Sequence, residues 1–151
     1  MDGDGRVLYL GVSGAPAPEG IPALVTACQA ARWRVVVFST PSGTRFIDPA
    51  ELERLIGEPV RSEYRMPGTG TPVPAADAVL ACPLTFNSVN KFAHGHVDNF
   101  AVGLLCEMMG YGVPVVVVPH RRWSATTRPP GTSSPSCCAA STARRHQSCG
   151  P

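Results

Sequence analysis

The chain lacks any apolar run near the roughly 20 residues of a spanning helix, so a helical membrane segment is excluded. It also lacks a basic leader followed by an apolar stretch. The opening residues, Met1-Asp2-Gly3-Asp4-Gly5-Arg6, are acidic, so no targeting segment is expected and a cytoplasmic location is. No CxxC pair occurs among the six cysteines, so neither a disulfide framework nor a metal site is expected. Cys28, Cys82 and Cys106 lie in apolar stretches and read as buried thiols, whereas Cys137, Cys138 and Cys149 lie near the end. Charged residues amount to only 16% and aromatics to 7%, against 44% apolar residues. That balance excludes collagen, coiled coil and wholesale disorder. The 151 residues leave no room for a second full domain, and one domain of this size buries roughly 70% of its unfolded surface.

What is present is unevenly distributed. All 11 acids and eight of the 13 Lys and Arg precede residue 121, which leaves the first 120 residues at net −3 and the last 31 at +5. Within the first part, Arg6 to Val12 (RVLYLGV) is a short apolar run that ends in Ser13-Gly14-Ala15-Pro16. Ile21, Leu24, Val25, Cys28 and Ala31 follow at helical spacing. Val35 to Phe38, Ala78 to Cys82 and Val115 to Val118 are continuously apolar, as strands buried on both faces of a parallel sheet are. Pro83 is expected to end the third strand.

Between the second and third strands, Asp48-Pro49-Ala50-Glu51 signals a helix start, with Asp48 as cap, Pro49 at the first helical position and Gly57 as the stop. Val97 to Met109 places Val97, Phe100, Ala101, Leu104, Leu105 and Met108 on one stripe, closed by Gly110. Pro67 to Pro74 (PGTGTPVP) reads as a loop. Strands alternating with helices predict an α/β fold: a three-layer, doubly wound parallel sheet of the Rossmann-like or flavodoxin-like kind. Ligands of such sheets bind outside the carboxyl ends of the strands, so residues 13–16, 39–46 and 83–90 are the loops of interest.

The first of these, Gly11-Val12-Ser13-Gly14-Ala15, is small enough for backbone to approach an anion at a helix N-terminus. A plain tight turn also accounts for it, since it has neither GxGxxG nor the Lys-Ser/Thr of a P-loop. Ser39 and Thr40 add hydroxyls at the second strand end. Thr85, Phe86, Asn87 and Ser88 place two hydroxyls, an aromatic ring and an amide directly after the third strand. A helix N-cap would explain Asn87 or Ser88, but not the group.

Residues 81 to 93 (ACPLTFNSVNKFA), continuing through Gly95 to Asp98-Asn99, resemble the signature segment of the homo-oligomeric flavin-containing cysteine decarboxylases. The similarity spans residues 6 to 119. It implies an FMN-binding domain over residues 1–120 and a trimer-based homo-oligomer with the flavin ring between subunits. By motif position, the resemblance puts Ser13, Gly14 and Ala15 at the phosphate. It puts Thr40 and Phe46 beside the cofactor, with Ser39 a further cofactor contact expected from its place at the strand end, and Thr85, Phe86, Asn87 and Ser88 on ribityl and phosphate oxygens. It further implies oxidation of a cysteine-like thiol, in a small molecule or a peptide, followed by loss of carbon dioxide.

Two departures qualify that activity. The decarboxylases carry a catalytic His eight residues before the Asp that opens the signature strand; counting back from Asp77 gives Thr69, which cannot act as a base near neutral pH. His120, His94 and His96 are the remaining candidates. The second departure is residues 121–151, which contain no Leu, Ile, Val, Met, Phe, Tyr or acid and are expected to form a disordered basic tail. A shifted reading frame explains that break. Five scattered arginines with one Trp do not make a nucleic-acid arm, and no nucleic-acid partner is expected. A non-catalytic flavin-binding or partner subunit, or a truncated inactive product, is the alternative reading.

Overall fold

The computed structural model describes residues 5–15, 20–64 and 72–120. Within them the apolar runs become four parallel strands in the order β2-β1-β3-β4: β1 Val7–Val12, β2 Arg34–Ser39, β3 Ala78–Leu84 and β4 Val115–Pro119. Consecutive parallel strands need crossovers, and helices supply them: α1 Gly20–Ala30, α2 Pro49–Ile56, then α3 Phe86–His94 and α4 Phe100–Gly110. The chain leaves β1 for β2, then returns past β1 to β3. The strand order therefore reverses at β1.

Register sorts the side chains. Tyr9 pairs with Val36 and Val79, and Leu10 with Val37 and Leu80. Val7, Tyr9, Val36, Phe38, Val79 and Ala81 thus form one face, packed against Phe92 of α3 and Ala101, Leu105 and Met108 of α4. Leu10, Val12, Val35 and Val37 form the other, against Ile21 and Val25 of α1 and Leu52 of α2. Leu10, Val37, Val25 and Leu105 are at most 1% exposed, and burying each contributes about 1.5–3 kcal/mol.

The α2 start and stop form as the residues predict: Asp48 Oδ1 accepts from Ala50 N at 3.0 Å and Glu51 N at 3.2 Å, and Gly57 takes φ 74°. Elsewhere the structure corrects the sequence reading. Pro83 does not end β3. The strand runs through a cis Cys82–Pro83 peptide to Leu84, where the register against β4 shifts. The last helix begins at Phe100 because Asn99 caps it, accepting from Val102 N at 3.1 Å, and Val97 is left exposed before it. Gly110 is its last residue, and the left-handed turn falls on Gly112 at φ 76°. The β4 run is not buried on both faces: Val116 and Val118 are 57% and 41% exposed, because α1 and α2 cover only the β1–β2 half of their face. Cys28, Cys82 and Cys106 are free thiols, half-buried rather than fully enclosed. Burial pushes the Cys28 and Cys82 thiols above their ordinary range.

One element has no sequence signal. Arg61 N donates to Val37 O at 3.0 Å and Ser39 N to Arg61 O at 2.7 Å, so residue 61 forms a parallel bridge on the outer edge of β2. A single residue of irregular chain thereby pairs with the carboxyl half of that edge. No helix among the described residues is long and apolar enough to cross a membrane.

Candidate functional site

The carboxyl ends of β1, β2 and β3 bring three loops to one sheet edge, at the point where the strand order reverses. Ligands of open α/β sheets lie at such a point. Ser13, directly after β1, is fully buried and is the central fastening. Its Oγ donates to Pro83 O at 2.9 Å and accepts from Thr85 N at 2.7 Å, and its own N–H donates to Pro83 O at 3.1 Å. The hydroxyl that motif position assigns to a phosphate is thus engaged in joining the first loop to the third. Beside it Gly14 is half-buried and Ala15 buried, the latter donating to Ser13 O at 2.7 Å in a tight turn.

The second loop docks on the first. Thr40 N donates to Val12 O at 3.0 Å, and Thr40 Oγ1 accepts from Gly43 N at 3.0 Å. Ser39 is fully buried, its hydroxyl donating to Thr40 O. A Cβ on Gly43 would lie 2.4 Å from Ser39 Oγ and 2.9 Å from Val12 O, so only glycine lets the one-turn 3-10 helix Gly43–Arg45 sit this close to β1. A Cβ on Gly14 would meet Ser42 Oγ at 3.0 Å, and Ser42 Oγ lies 3.3 Å from Thr40 Oγ1. Ser42 and Gly43 therefore belong to the site, although in sequence they signal only a turn. Phe46 closes the 3-10 turn and is 38% exposed.

In the third loop, the structure corrects the cap assignment. Thr85, not Asn87 or Ser88, caps α3, accepting from Ser88 N at 3.3 Å. Phe86, Asn87 and Ser88 are consequently in the first helical turn rather than in a loop. Ser88 is buried with its Oγ 3.0 Å from Thr85 Oγ1, while Phe86, 54% exposed, and Asn87 face outward. That turn carries the positive end of the α3 dipole, and its leading amides are the kind that anions bind.

The three histidines separate. His120 leaves β4 beside the third loop, its N–H donating to Leu84 O at 2.9 Å, and it is half-buried. His94 ends α3 and His96 follows its Gly95 cap, both exposed, with His94 eight residues or about 12 Å along the helix from Phe86. Their rings are 6.3 Å apart, and Lys91 forms an ion pair with Asp98 nearby. The structure thus gathers Ser13, Gly14, Ala15, Ser39, Thr40, Phe46, Thr85, Phe86, Asn87, Ser88 and His120 at one edge and leaves His94 and His96 outside it. Thr69 and the tail from residue 121, with Cys137, Cys138 and Cys149, lie outside the described residues.

A cavity of about 190 Å³ on the α4 side of the sheet, lined by Tyr9, Val36, Phe38, Val73, Phe100 and Leu104 with Arg61 and Glu63 at it, contains none of these loop residues. The hydroxyls and small residues of the three loops lie at the strand ends instead.

The loop geometry suits a phosphorylated planar ligand. Close backbone approaches at Gly14 and Gly43 draw the first and second loops together beside the first turn of α3, and Phe46 and Phe86 are exposed in the second and third loops.

Comparison with known proteins agrees. A family model described as Flavoprotein matches residues 2–129. Among solved structures, the FMN-dependent cysteine decarboxylase TvaF from thioviridamide biosynthesis superposes with a TM-score of 0.67 at 22% identity, over 82% of this chain and 78% of that one. A PPC decarboxylase mutant complexed with pantothenoylaminoethenethiol gives 0.60 at 21%, over 76% and 66%. AnUbiX in complex with FMN and dimethylallyl pyrophosphate gives 0.65 at 14%, over 80% and 68%. No curated protein matches.

Proposed function

Since the chain belongs to the Flavoprotein family, we propose that it binds FMN at the carboxyl edge of its sheet. The observation that carries this reading is the fastening of three loops around one small-residue cradle by Ser13, Gly14 and Gly43. In it, Gly14, Ala15, Thr40, Ser42 and the first turn of α3 hold the phosphate and ribityl oxygens, and Asn87 supplies an amide. Phe46 and Phe86 flank the ring. Ser13, Ser39 and Ser88 are buried and hold the loops in place.

FMN when bound supplies two-electron oxidation of a cysteine-type thiol, the chemistry that precedes loss of carbon dioxide in an oxidative decarboxylase. The substrate class is a small molecule or peptide with a terminal cysteine, and the protein acts in the cytoplasm as a trimer-based homo-oligomer. Residues 1–120 are the FMN-binding domain in this reading, and residues 121–151 are its basic tail. His120, at the strand ends, is the group placed to move a proton. A second reading, FMN binding without turnover, is favoured by Thr69 at the position where the decarboxylases carry His.

The visible absorption spectrum of the protein, taken before and after adding FMN and desalting, tests the cofactor. An oxidised-flavin spectrum at near one flavin per chain is expected, and a colourless protein would overturn the proposal. Release of carbon dioxide from cysteine-terminated substrates then separates enzyme from carrier.

A further inference from the structure

The cavity of about 190 Å³ on the α4 side of the sheet takes no part in the cofactor reading. Tyr9, Val36 and Phe38, each at most 6% exposed, form its floor. Val73, Phe100 and Leu104 around it are half-buried and Glu63 is exposed, which marks its opening to solvent.

Each aromatic wall is held by a contact outside the cavity. The Phe38 ring leans over Gly11, where a Cβ would lie 2.6 Å from Phe38 Cζ. Tyr9 meets Phe38 edge-on at 6.4 Å between ring centroids and donates its hydroxyl to Pro74 O at 2.8 Å. Phe100 meets Tyr64 edge-on at 5.1 Å, and Tyr64 lies along α4, where a Cβ at Gly103 would run into its hydroxyl. None of the three rings swings inward without losing such a contact, so the space is built into the fold.

The two charged residues differ in weight. Arg61 is half-buried, and its backbone is fixed to β2 by the two hydrogen bonds of the bridge. Burial raises the Tyr9 pKa, and the Arg61 charge opposes that rise more strongly than Glu107 or Glu58 adds to it. Glu58 is paired with Arg34, and Glu107 and Glu63 are exposed, where water and salt screen them. An anion is therefore favoured inside. Arg61 carries five N–H donors in a planar fork, so it can grip a carboxylate alongside the contacts it already makes.

Size and lining set the rest of the ligand. An apolar cavity of about 150 Å³ takes up benzene, so this one has room for a single ring with a short substituent. Aromatic walls favour an aromatic ring through edge-to-face contacts.

We propose that the cavity binds a one-ring aromatic carboxylate, its ring among Tyr9, Phe38, Phe100 and Leu104 and its carboxylate on the Arg61 guanidinium. No cofactor-loop residue lines the cavity, so this site is separate from the one proposed for FMN and does not rest on it.

Isothermal titration calorimetry of the full chain with benzoate tests the proposal. Benzoate should bind about tenfold or more tightly than benzyl alcohol, which has the ring without the charge, and than acetate, which has the charge without the ring. Adding FMN should leave the benzoate affinity unchanged. Arg61→Met keeps the backbone bridge and removes the charge, so the preference for benzoate over benzyl alcohol should vanish at an unchanged far-UV circular dichroism spectrum. Leu104→Trp fills the space and should abolish binding; if that overpacked variant fails to fold, the Arg61 variant decides. Absence of benzoate binding, a preference that Arg61→Met leaves in place, or displacement of benzoate by FMN would overturn the proposal. The flavin spectrum is read without benzoate, so a colourless protein that binds benzoate counts against the cofactor reading alone.

Discussion

Replacing Ser13 with alanine removes one oxygen atom from the centre of the site, and its cost follows from three hydrogen bonds. Ser13 Oγ donates to Pro83 O and accepts from Thr85 N. Pro83 O keeps a partner in the Ser13 N–H, at 3.1 Å, so the carbonyl is not orphaned. The Thr85 N–H loses its acceptor. A deprived donor of this kind costs about 1–3 kcal/mol, more than the roughly 0.5–1.5 kcal/mol net value of an ordinary hydrogen bond. A methyl group fills nearly the same volume, so no cavity adds to the loss. Urea unfolding followed by circular dichroism should show a lower midpoint at unchanged slope, equivalent to about 1–3 kcal/mol. FMN affinity should fall as well, since the first and third loops are no longer tied. Ser42→Ala is the control: Ser42 is exposed, so its loss should weaken FMN while leaving the midpoint in place. A Ser13→Ala protein with wild-type midpoint and wild-type FMN affinity would refute the account of Ser13 as the fastening between loops.

Three further outcomes are expected. Gly43→Ala drives a Cβ into Ser39 Oγ and Val12 O, and should destabilise by about 1–3 kcal/mol, as overpacking does, as well as lowering FMN retention; thermal unfolding at wild-type temperature would count against the close approach. Asn87→Ala changes an exposed side chain, so unfolding should be untouched while FMN affinity drops by about 1–3 kcal/mol; fluorescence titration of free flavin measures this, and unchanged affinity would remove Asn87 from the site. Burial raises the Tyr9, Cys28 and Cys82 pKa values, so the folded chain holds these protons more tightly than the unfolded one. Their contribution is complete below the ordinary thiol range and is lost as pH rises through the folded values. Urea midpoints should therefore fall on the alkaline side, and less steeply in Cys82→Ala; a rise there would contradict the sign.

Much of this architecture is legible in local sequence. The α2 boundaries follow from Asp48-Pro49 and Gly57 because capping acts over three or four residues, a range that sequence displays directly. The four strands follow from unbroken valine-rich runs, and their alternation with helices implies a parallel sheet with its loops at one edge. The resemblance in residues 81–93 supplies the cofactor class. The assignments that miss do so where two local signals compete. Thr85, Asn87 and Ser88 can all cap a helix, and the choice falls on Thr85 because its N–H is already drawn to Ser13, 72 residues earlier. Pro83 resembles a strand terminator, yet β3 continues because Leu84 O still has His120 N–H to receive.

What the sequence by itself determined is the four strands, the helices α1, α2 and α4, their order and the chemistry available at the strand ends, because each rests on neighbours within one turn of chain. The residues of α3 read as loop instead. Tertiary structure alone decided that Ser13 fastens loops instead of facing outward, and that Ser42 and Gly43 belong to the site. It also decided that His94 and His96 do not, that residue 61 bridges to the outer edge of β2, and that Val116 and Val118 stand exposed on β4. Each of those outcomes depends on which crossover lies over which strand, and apolar periodicity carries no record of that choice.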